Sequence, residues 1–395
     1  MKICMLIRYH SFKDARVFEK EAVSLSKMGH QVTITAGKQQ GFLFEINRQP
    51  VTEKPFQQEN FIYKGVHFLT YDAKFPTGKN KPLIIKNMIQ DLLSDTQEYF
   101  IDKLVEKALS ADADTYHAHE WSTLYEAVQI KRLLRKKGRE VRVIFDAHEL
   151  EDDNELMKLM MKEVDHLITV SDGLKEVYKE RYPEIPVTVI YNSPLFQEQI
   201  PENKYMEEPF VITYEGVLTD NKGNPQKIIE IVNHCESKME SFKFKIWGKL
   251  PNHPLYKEKQ KKLNENPNIE CDWVDFQDLP KHLSNAHVGY IYFNVNIPNM
   301  VYAMPNKFFS YLNNGVPVVV NQVPEMKNFI EKHHCGIVIE KEEPSAADYV
   351  DQFQRLYQDR NLLRELAQNA RESMRSIYCW EKMEVRLKEM YEGFK

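Results

Sequence analysis

The sequence predicts an α/β protein made of two doubly wound domains, each a parallel sheet covered on both faces. Three observations carry that prediction. Short apolar runs alternate with helical patterns along nearly the whole chain, the arrangement of consecutive β-α-β units. The runs are continuously apolar rather than alternating, as strands buried on both faces must be. With 395 residues, the chain can build two cores of ordinary size.

The candidate strands of the first half are KICMLI (2–7), QVTITA (31–36), TYHAH (115–119), VRVIFDA (141–147), HLITVS (166–171) and VTVIYN (187–192). A helix is expected from Asp14 to Met28, where Asp14 suits an N-cap and Phe18, Ala22 and Leu25 share one face. The stretch PLFQEQIPENKYMEEPF (194–210) is rich in Pro, Glu and Gln, lacks periodicity, and reads as a linker. Strands resume as FVITYEG (210–216), KFKIWG (243–248), VGYIYF (288–293), VPVVV (316–320) and GIVIE (336–340), with a helix expected from Asp220 to Asn233. In MPNKFFSYLNNGVPVVV (304–320), Pro305 suits a helix start and Phe308, Tyr311 and Leu312 turn inward. Asn313-Asn314-Gly315 supplies a left-handed stop. The tail from Tyr357 to Lys395 is helical and charged, with Trp380 as an anchor.

Composition narrows the function. Hydrophobic residues at 42%, charged residues at 28% and a net charge of −5 describe an ordinary globular protein and give no support for a nucleic-acid partner held by bulk electrostatics. The five cysteines are scattered without C-x-x-C spacing, so neither a disulfide framework nor a zinc site is suggested. MKICMLIRYH turns polar too soon for a signal peptide, and no window nears the roughly 18 apolar residues of a membrane helix. A cytoplasmic protein is expected.

Open parallel sheets bind ligands beyond the carboxyl ends of their strands, so the ligand is expected in a cleft that the two domains face. Arg16 puts a cation in the first turn of a helix, where the macrodipole disfavours it. It is either a surface arginine beside Glu19 or solvent, or a contact to phosphate or an acceptor anion. His117 and His119 share a strand face, but no third metal ligand is implied, and His119 is expected to point into the cleft. Asp112-Ala113-Asp114 mimics a metal-binding D-x-D yet leads into a strand on the opposite sheet edge, so it reads as a turn. His148, followed by Glu149, ends another strand; a buried histidine satisfied by backbone is the alternative. KRLLRKKGREVR (131–142) is a solvated helix face or a contact to a membrane surface or anionic acceptor. In the second half, Gly216 permits close backbone approach, and Lys222 and Lys307 both stand at expected helix starts. Either lysine alone could be solvated; together they would flank one diphosphate.

The pieces DARVFEKEAVSLSKMGHQVTI, YHAHEWSTL, VIFDAHEL, TVSDGL, VTVIYNSP, YEGVLTDNKG, IWG, MPNKFFSYLNNGVPVV and CGIVIE, in that order, resemble the retaining GT-B glycosyltransferases of family 4 (glycosyl transferases group 1). The resemblance covers essentially the whole chain. It implies two Rossmann-like domains: an acceptor domain over 1–195 and a nucleotide-sugar domain over 196–375, with a helix over 376–395 packing back on the first. Lys222 resembles the lysine that grips the donor diphosphate, and its usual arginine companion falls at Val217. Gly248 resembles the glycine that lets the nucleotide approach, and Trp273 to Phe276, including Val274, would flank the base. Gly216, Met304, Pro305, Asn306, Lys307 and Ser310 complete the implied donor side. His119 resembles the histidine near the transferring sugar, with Asp14, Arg16, His148 and Glu149 on the acceptor or phosphate side.

The family's E-x7-E pair falls at Tyr302 and Ser310, and its glycine-rich loop is replaced by Tyr9 to Ala15. The implied reaction moves a sugar with retention from a nucleoside-diphosphate sugar, uridine diphosphate by family frequency, to a glycan or lipid-linked acceptor. No cofactor or metal is expected. A nucleotide-sugar 2-epimerase is a rival on the same fold, but it needs acid/base carboxylates that Tyr302 and Ser310 do not supply. A binding-only protein has little reason to keep both lysines and both histidines.

Overall fold

The computed structural model describes every residue except Glu202, Phe276 and Lys395, so the expectation on Phe276 lies outside the described residues. Two compact units form, Met1–Ile190 with Glu384–Lys395, and Tyr191–Met383. The first unit carries strands β1 (Lys2–Ile7), β2 (Gln31–Lys38), β3 (Asn60–Tyr63), β4 (Val66–Asp72), β5 (Thr115–Ala118), β6 (Arg142–Ala147), β7 (His166–Thr169) and β8 (Val187–Val189). They form one sheet in the order β3-β4-β2-β1-β5-β6-β7-β8, parallel throughout except at the edge, where β3 runs antiparallel to β4. Its helices are α1 (Val23–Lys27), α2 (Lys81–Leu93), α3 (Leu104–Ser110), α4 (Trp121–Lys136), α5 (Glu155–Met161) and α6 (Asp172–Arg181).

The second unit carries β9 (Phe210–Glu215), β10 (Phe242–Trp247), β11 (Ile269–Asp272), β12 (Val288–Ile291), β13 (Val318–Asn321) and β14 (Gly336–Ile339), ordered β11-β10-β9-β12-β13-β14. Its helices are α7 (Pro225–Cys235), α8 (Lys257–Glu265), α9 (Leu279–Leu283), α10 (Pro298–Val301), α11 (Asn306–Asn313), α12 (Pro324–His333), α13 (Ala346–Gln358) and α14 (Arg360–Ser373); α15 (Trp380–Glu392) follows. Both units are thus doubly wound, with Tyr214, Phe244, Tyr290 and Tyr349 buried at the centre of the second core.

The departures from expectation have local causes. β3 and β4 are a hairpin whose two-residue turn, Lys64 and Gly65, takes positive φ at both positions, as a type I′ turn requires. The helix expected from Asp14 starts at Val17 with a π-helical stretch to Ala22. Asp14 still caps it, its Oδ1 accepting from the N–H groups of Arg16 and Val17 at 2.8 and 3.0 Å. Lys222 does not start a helix. Asn224 caps α7, accepting from Lys227 N–H, and Lys222 sits before it in a tight turn closed against Thr219.

The basic run 131–142 is not a free cationic face. Lys131 is buried against Asp165 and the Glu163 carbonyl. Arg132 and Arg135 pair with Glu163, Lys136 with Asp95, and Arg139 with Asp112. Pairing within the unit offsets much of the charge that this run would present to a membrane surface. Among the described residues, no helix is long and apolar enough to cross a membrane.

Arg8, at the end of β1, is fully buried; its Nη2 donates to Glu126 at 2.7 Å and to Asp102 at 3.1 Å. Burial pushes the Glu126 carboxyl up to about 8, and Arg8 partly offsets that push. Removing one partner of a buried ion pair strands the other. Arg8→Ala is therefore expected to cost about 3–5 kcal/mol in urea unfolding, whereas Lys136→Ala, removing an exposed pair, should cost below about 1 kcal/mol.

Candidate active site

In the first unit, the chain leaving β1 turns its N–H groups toward one carboxylate. Glu120 accepts from Arg8 N–H at 3.1 Å, Tyr9 N–H at 2.8 Å and His10 N–H at 3.2 Å, while Thr123 and Glu120 close a capping box at the start of α4. Such a ring of amides is an anion-binding nest. Here the protein fills it with its own carboxylate, which accounts for a loop without glycines.

Asp146, near the end of β6, organises what lies beside that loop. Its two oxygens take the Arg16 fork, Nε at 2.8 Å and Nη2 at 2.9 Å, while Arg16 Nη1 donates to the Ile190 carbonyl. Arg16 is buried, so it is neither a solvated surface arginine nor a fork held open for an acceptor anion. Asp146 Oδ2 also faces His148 Nε2 at 3.0 Å and His119 Nδ1 at 3.5 Å. Burial works against the Asp146 charge, but Arg16 and the histidines hold its pKa well below the carboxylate range. Glu21, fully buried beside Asp146, is pushed well above its usual value by burial and by that neighbouring charge.

His119 lies one residue past β5, and its side chain is 0% exposed. It is packed on His117, whose Nδ1 meets the Tyr391 hydroxyl at 3.0 Å. Burial pulls His119 down to about 4, so it is neutral at pH 7. The rings a ligand could reach are His148, 18% exposed, and His10, 24% exposed. The expectation that His119 points outward is thus corrected; His148 stands in front of it, held by a carboxylate rather than by backbone. Glu149 continues from His148 at the exposed end of the strand. His117 and His119 do have carboxylate neighbours, Glu21 and Asp146, with ligand atoms within 4.8 Å of one another. Arg16 occupies both oxygens of one and lies 3.1 Å from the other, so a guanidinium already serves as their counter-cation. Asp112 and Asp114 form a turn before β5, bonded to Lys2.

In the second unit, β9 and β10 end side by side at Gly216 and Gly248. A Cβ on Gly248 would lie 1.9 Å from the Gly216 carbonyl oxygen, so this glycine is required by strand contact whatever approaches from outside. Gly216 has φ +102, and a side chain there would meet Lys307 Nζ at 3.5 Å. Lys307 opens α11 behind Pro305, its stem buried and its Nζ 3.8 Å from the centre of the Tyr214 ring. No carboxylate lies within 4 Å of that ammonium among the described residues. Burial pulls Lys307 down to about 7; Glu215 opposes this and Lys222 adds to it. Glu215 is pushed up to about 7 by burial, eased by Lys307 and by a hydrogen bond from Ser310.

Asn306 is exposed and Met304 buried, so of these two only Asn306 is open to a ligand. Val217 is 47% and Trp273 39% exposed, and Lys249 lies over the Trp273 ring at 4.6 Å; Val274 follows, half-buried.

Sequence reasoning missed Glu120, Asp146, His10 and Glu215. Asp146 had a signal, a carboxylate set directly after the apolar run Val143–Phe145. Glu215 immediately precedes the glycine singled out.

Two family models match in tandem, Glycosyltransferase Family 4 over residues 15–193 and Glycosyl transferases group 1 over 196–373. Solved structures resemble the chain along its length. Sucrose-phosphate synthase from Thermosynechococcus elongatus aligns with TM-score 0.68 at 14% identity, covering 100% of this chain and 98% of that one. HepE from Anabaena, in complex with UDP and glucose, aligns at 0.66 and 12%, covering 100% of both. Trehalose-6-phosphate from E. coli, bound with UDP-2-fluoro glucose, aligns at 0.64 and 9%, covering 100% and 98%. No curated protein matches the chain. Tandem domains of these two kinds, on two Rossmann-like sheets, define a glycosyltransferase of the GT-B type.

His10 offers a test of the first cluster. Burial disfavours its charge, but the bond to Asp14 at 3.2 Å and the field of Glu120 hold it up at about 9. A raised pKa contributes stability that is complete below the unfolded value, about 6.5, and is lost as pH rises through the folded value. The melting-temperature gap between the parent and His10→Asn is expected to be full at pH 6 and to close between about pH 6.5 and 9.5.

Proposed function

We propose that this glycosyltransferase moves a sugar, with retention, from a uridine-diphosphate sugar to a hydroxyl of a glycan or lipid-linked acceptor in bacterial surface-glycan assembly. The observation that carries the donor side is Lys307. Its buried stem fixes an ammonium at the first turn of α11, beside Lys222 and without a carboxylate within bonding distance among the described residues. An amine whose charge burial disfavours there is matched to an anion that arrives from outside and restores that charge. Two lysines and the free N–H groups of the α11 start suit a diphosphate. Uridine is supported by the ligands of the similar structures; the acceptor class and the retaining course are drawn from the family resemblance.

In this reading the bond between the sugar's anomeric carbon and the diphosphate oxygen breaks while Lys222 and Lys307 stabilise the charge gathering on the leaving group. The acceptor hydroxyl adds to the same face and passes its proton to the departing phosphate oxygen. Val217, where an arginine is usual, leaves that electrostatic work to the two lysines. In the first unit, the partly exposed His10, Asp14 and His148 are the groups available to orient a sugar, and His119 acts through Asp146 and His148 as a positioning residue.

Lys307→Met keeps the buried stem and removes only the charge. A charge-assisted contact contributes about 1.5–3 kcal/mol, so the Kd for uridine diphosphate should rise about tenfold to 150-fold by calorimetry. Unchanged affinity would remove the diphosphate from this site. Because protein cations do this work, turnover with a panel of nucleotide sugars should survive EDTA; rescue by manganese after loss would overturn the metal-free reading.

A further inference from the structure

We propose that the second unit has an additional binding site for a phosphate-bearing anion, in a groove between α14 with the turn that follows it and the residues Ile200, Pro201 and Tyr205. The groove encloses about 350 Å³, within the range of small-molecule sites. Arg364 and Arg371 line it from α14 and Arg375 from the π-helical turn Met374–Tyr378 that continues it, opposite an apolar wall of Ile200, Pro201 and Tyr205. Like charges four residues apart in helical chain, as Arg371 and Arg375 are, repel, and among the described residues none of the three arginines is ion-paired with a carboxylate. Arg371 shows how the cluster is held without being neutralised. Its N–H groups go to the backbone carbonyls of Gln197, Asn313 and Glu198, and its guanidinium lies over the Phe196 ring at 4.4 Å, with that of Arg375 at 5.4 Å.

A fourth cation adjoins them. Lys204 is fully buried, its Nζ donating to the Asn314 carbonyl at 2.7 Å; burial and the field of Arg371 pull it down to about 7. Among the described residues, the acids nearby include Glu372, which lines the groove, Glu198, whose charge Arg371 feels without pairing to it, and Glu381, which accepts from Phe196 N–H at 3.2 Å. Guanidinium forks match phosphate oxygens two at a time, and the apolar wall suits the carbon body of a phosphorylated ligand. From this groove Arg371 donates to the carbonyl of Asn313 at the C-terminal end of α11, whereas Lys307 sits at the other end of that helix, about 9 Å along the axis. One diphosphate cannot serve both.

The test titrates inorganic pyrophosphate by calorimetry into a chain carrying Lys222→Ala and Lys307→Met, so that binding at those lysines does not contribute. Saturable binding is expected, weakening with added salt. Adding Arg364→Gln and Arg375→Gln, both exposed side chains, should raise Kd at least about tenfold without moving the ligand-free melting temperature. A parallel arm measures cosedimentation with phosphatidylglycerol and phosphatidylcholine vesicles. Binding only to the anionic vesicles, lost in the arginine variant, would assign the phosphate to a lipid headgroup. Equal pyrophosphate and vesicle binding with and without Arg364 and Arg375, or none to either probe, would overturn the site.

Discussion

Asp146 enters the middle of the first unit as an ionised carboxylate on a strand whose neighbouring side chains, Val143 to Phe145 and Ala147, are apolar. An unpaired charge in that position would cost several kcal/mol, so its surroundings are specified by the need to solvate it. Arg16 supplies a bidentate fork from the start of the first helical segment, His148 closes from the strand's own end, and His119 leans in from β5. Each of these side chains is immobilised by the same acceptor, so the chemistry at the end of β6 depends on one carboxylate staying charged. Glu21, beside it, carries the opposite burden: burial and the Asp146 charge push its pKa well above the usual carboxylate range.

The second unit faces the reverse situation. Its cations are placed where carboxylates are scarce, and Glu215, the nearest, is buried and titrates near neutrality with Lys307. Neither lysine is needed to hold strands together. The fold is held by tyrosine-rich packing around β9 and β12 and by glycines that admit close contact, such as Gly289 against the Tyr311 ring. Separating the groups that stabilise from the groups that bind leaves the latter free to carry unfavourable charge, as functional sites commonly do.

Much of this was legible in the sequence because parallel strands buried on both faces are written as unbroken apolar runs. β1, β9, β10 and β14 begin and end within a residue of where those runs do. β3 was hidden because Ile62 faces outward on an edge strand, and β11 because Glu270 and Asp272 break its apolar run. The candidate lysines were visible through their conflict with a helix start, though Lys222 proved to sit in a turn. What stayed hidden was pairing at long range. Nothing local in ARVFEKE says that Arg16 will meet Asp146, and nothing in YHAHEW says that Glu120 will turn back onto the loop after β1 while His119 is buried behind a histidine from another strand.

The first unit is discontinuous in the chain, and that bears on how the protein is made. Glu384–Lys395 completes it, delivering Leu387 and Tyr391 as fully buried side chains, with the Tyr391 hydroxyl against His117. On the ribosome these residues emerge only after the whole of Tyr191–Met383, a delay of about 10–40 s at 5–20 residues per second. Throughout that interval the nascent first unit has its sheet but not its last helix. The apolar surface meant for Leu387 and Tyr391 stays open, and His117 lacks its partner. The second unit, being continuous, can close on itself first. The His117–Tyr391 contact therefore forms only after the second unit has been made, and a chain cut short before Glu384 would present that uncovered surface to chaperones and proteases.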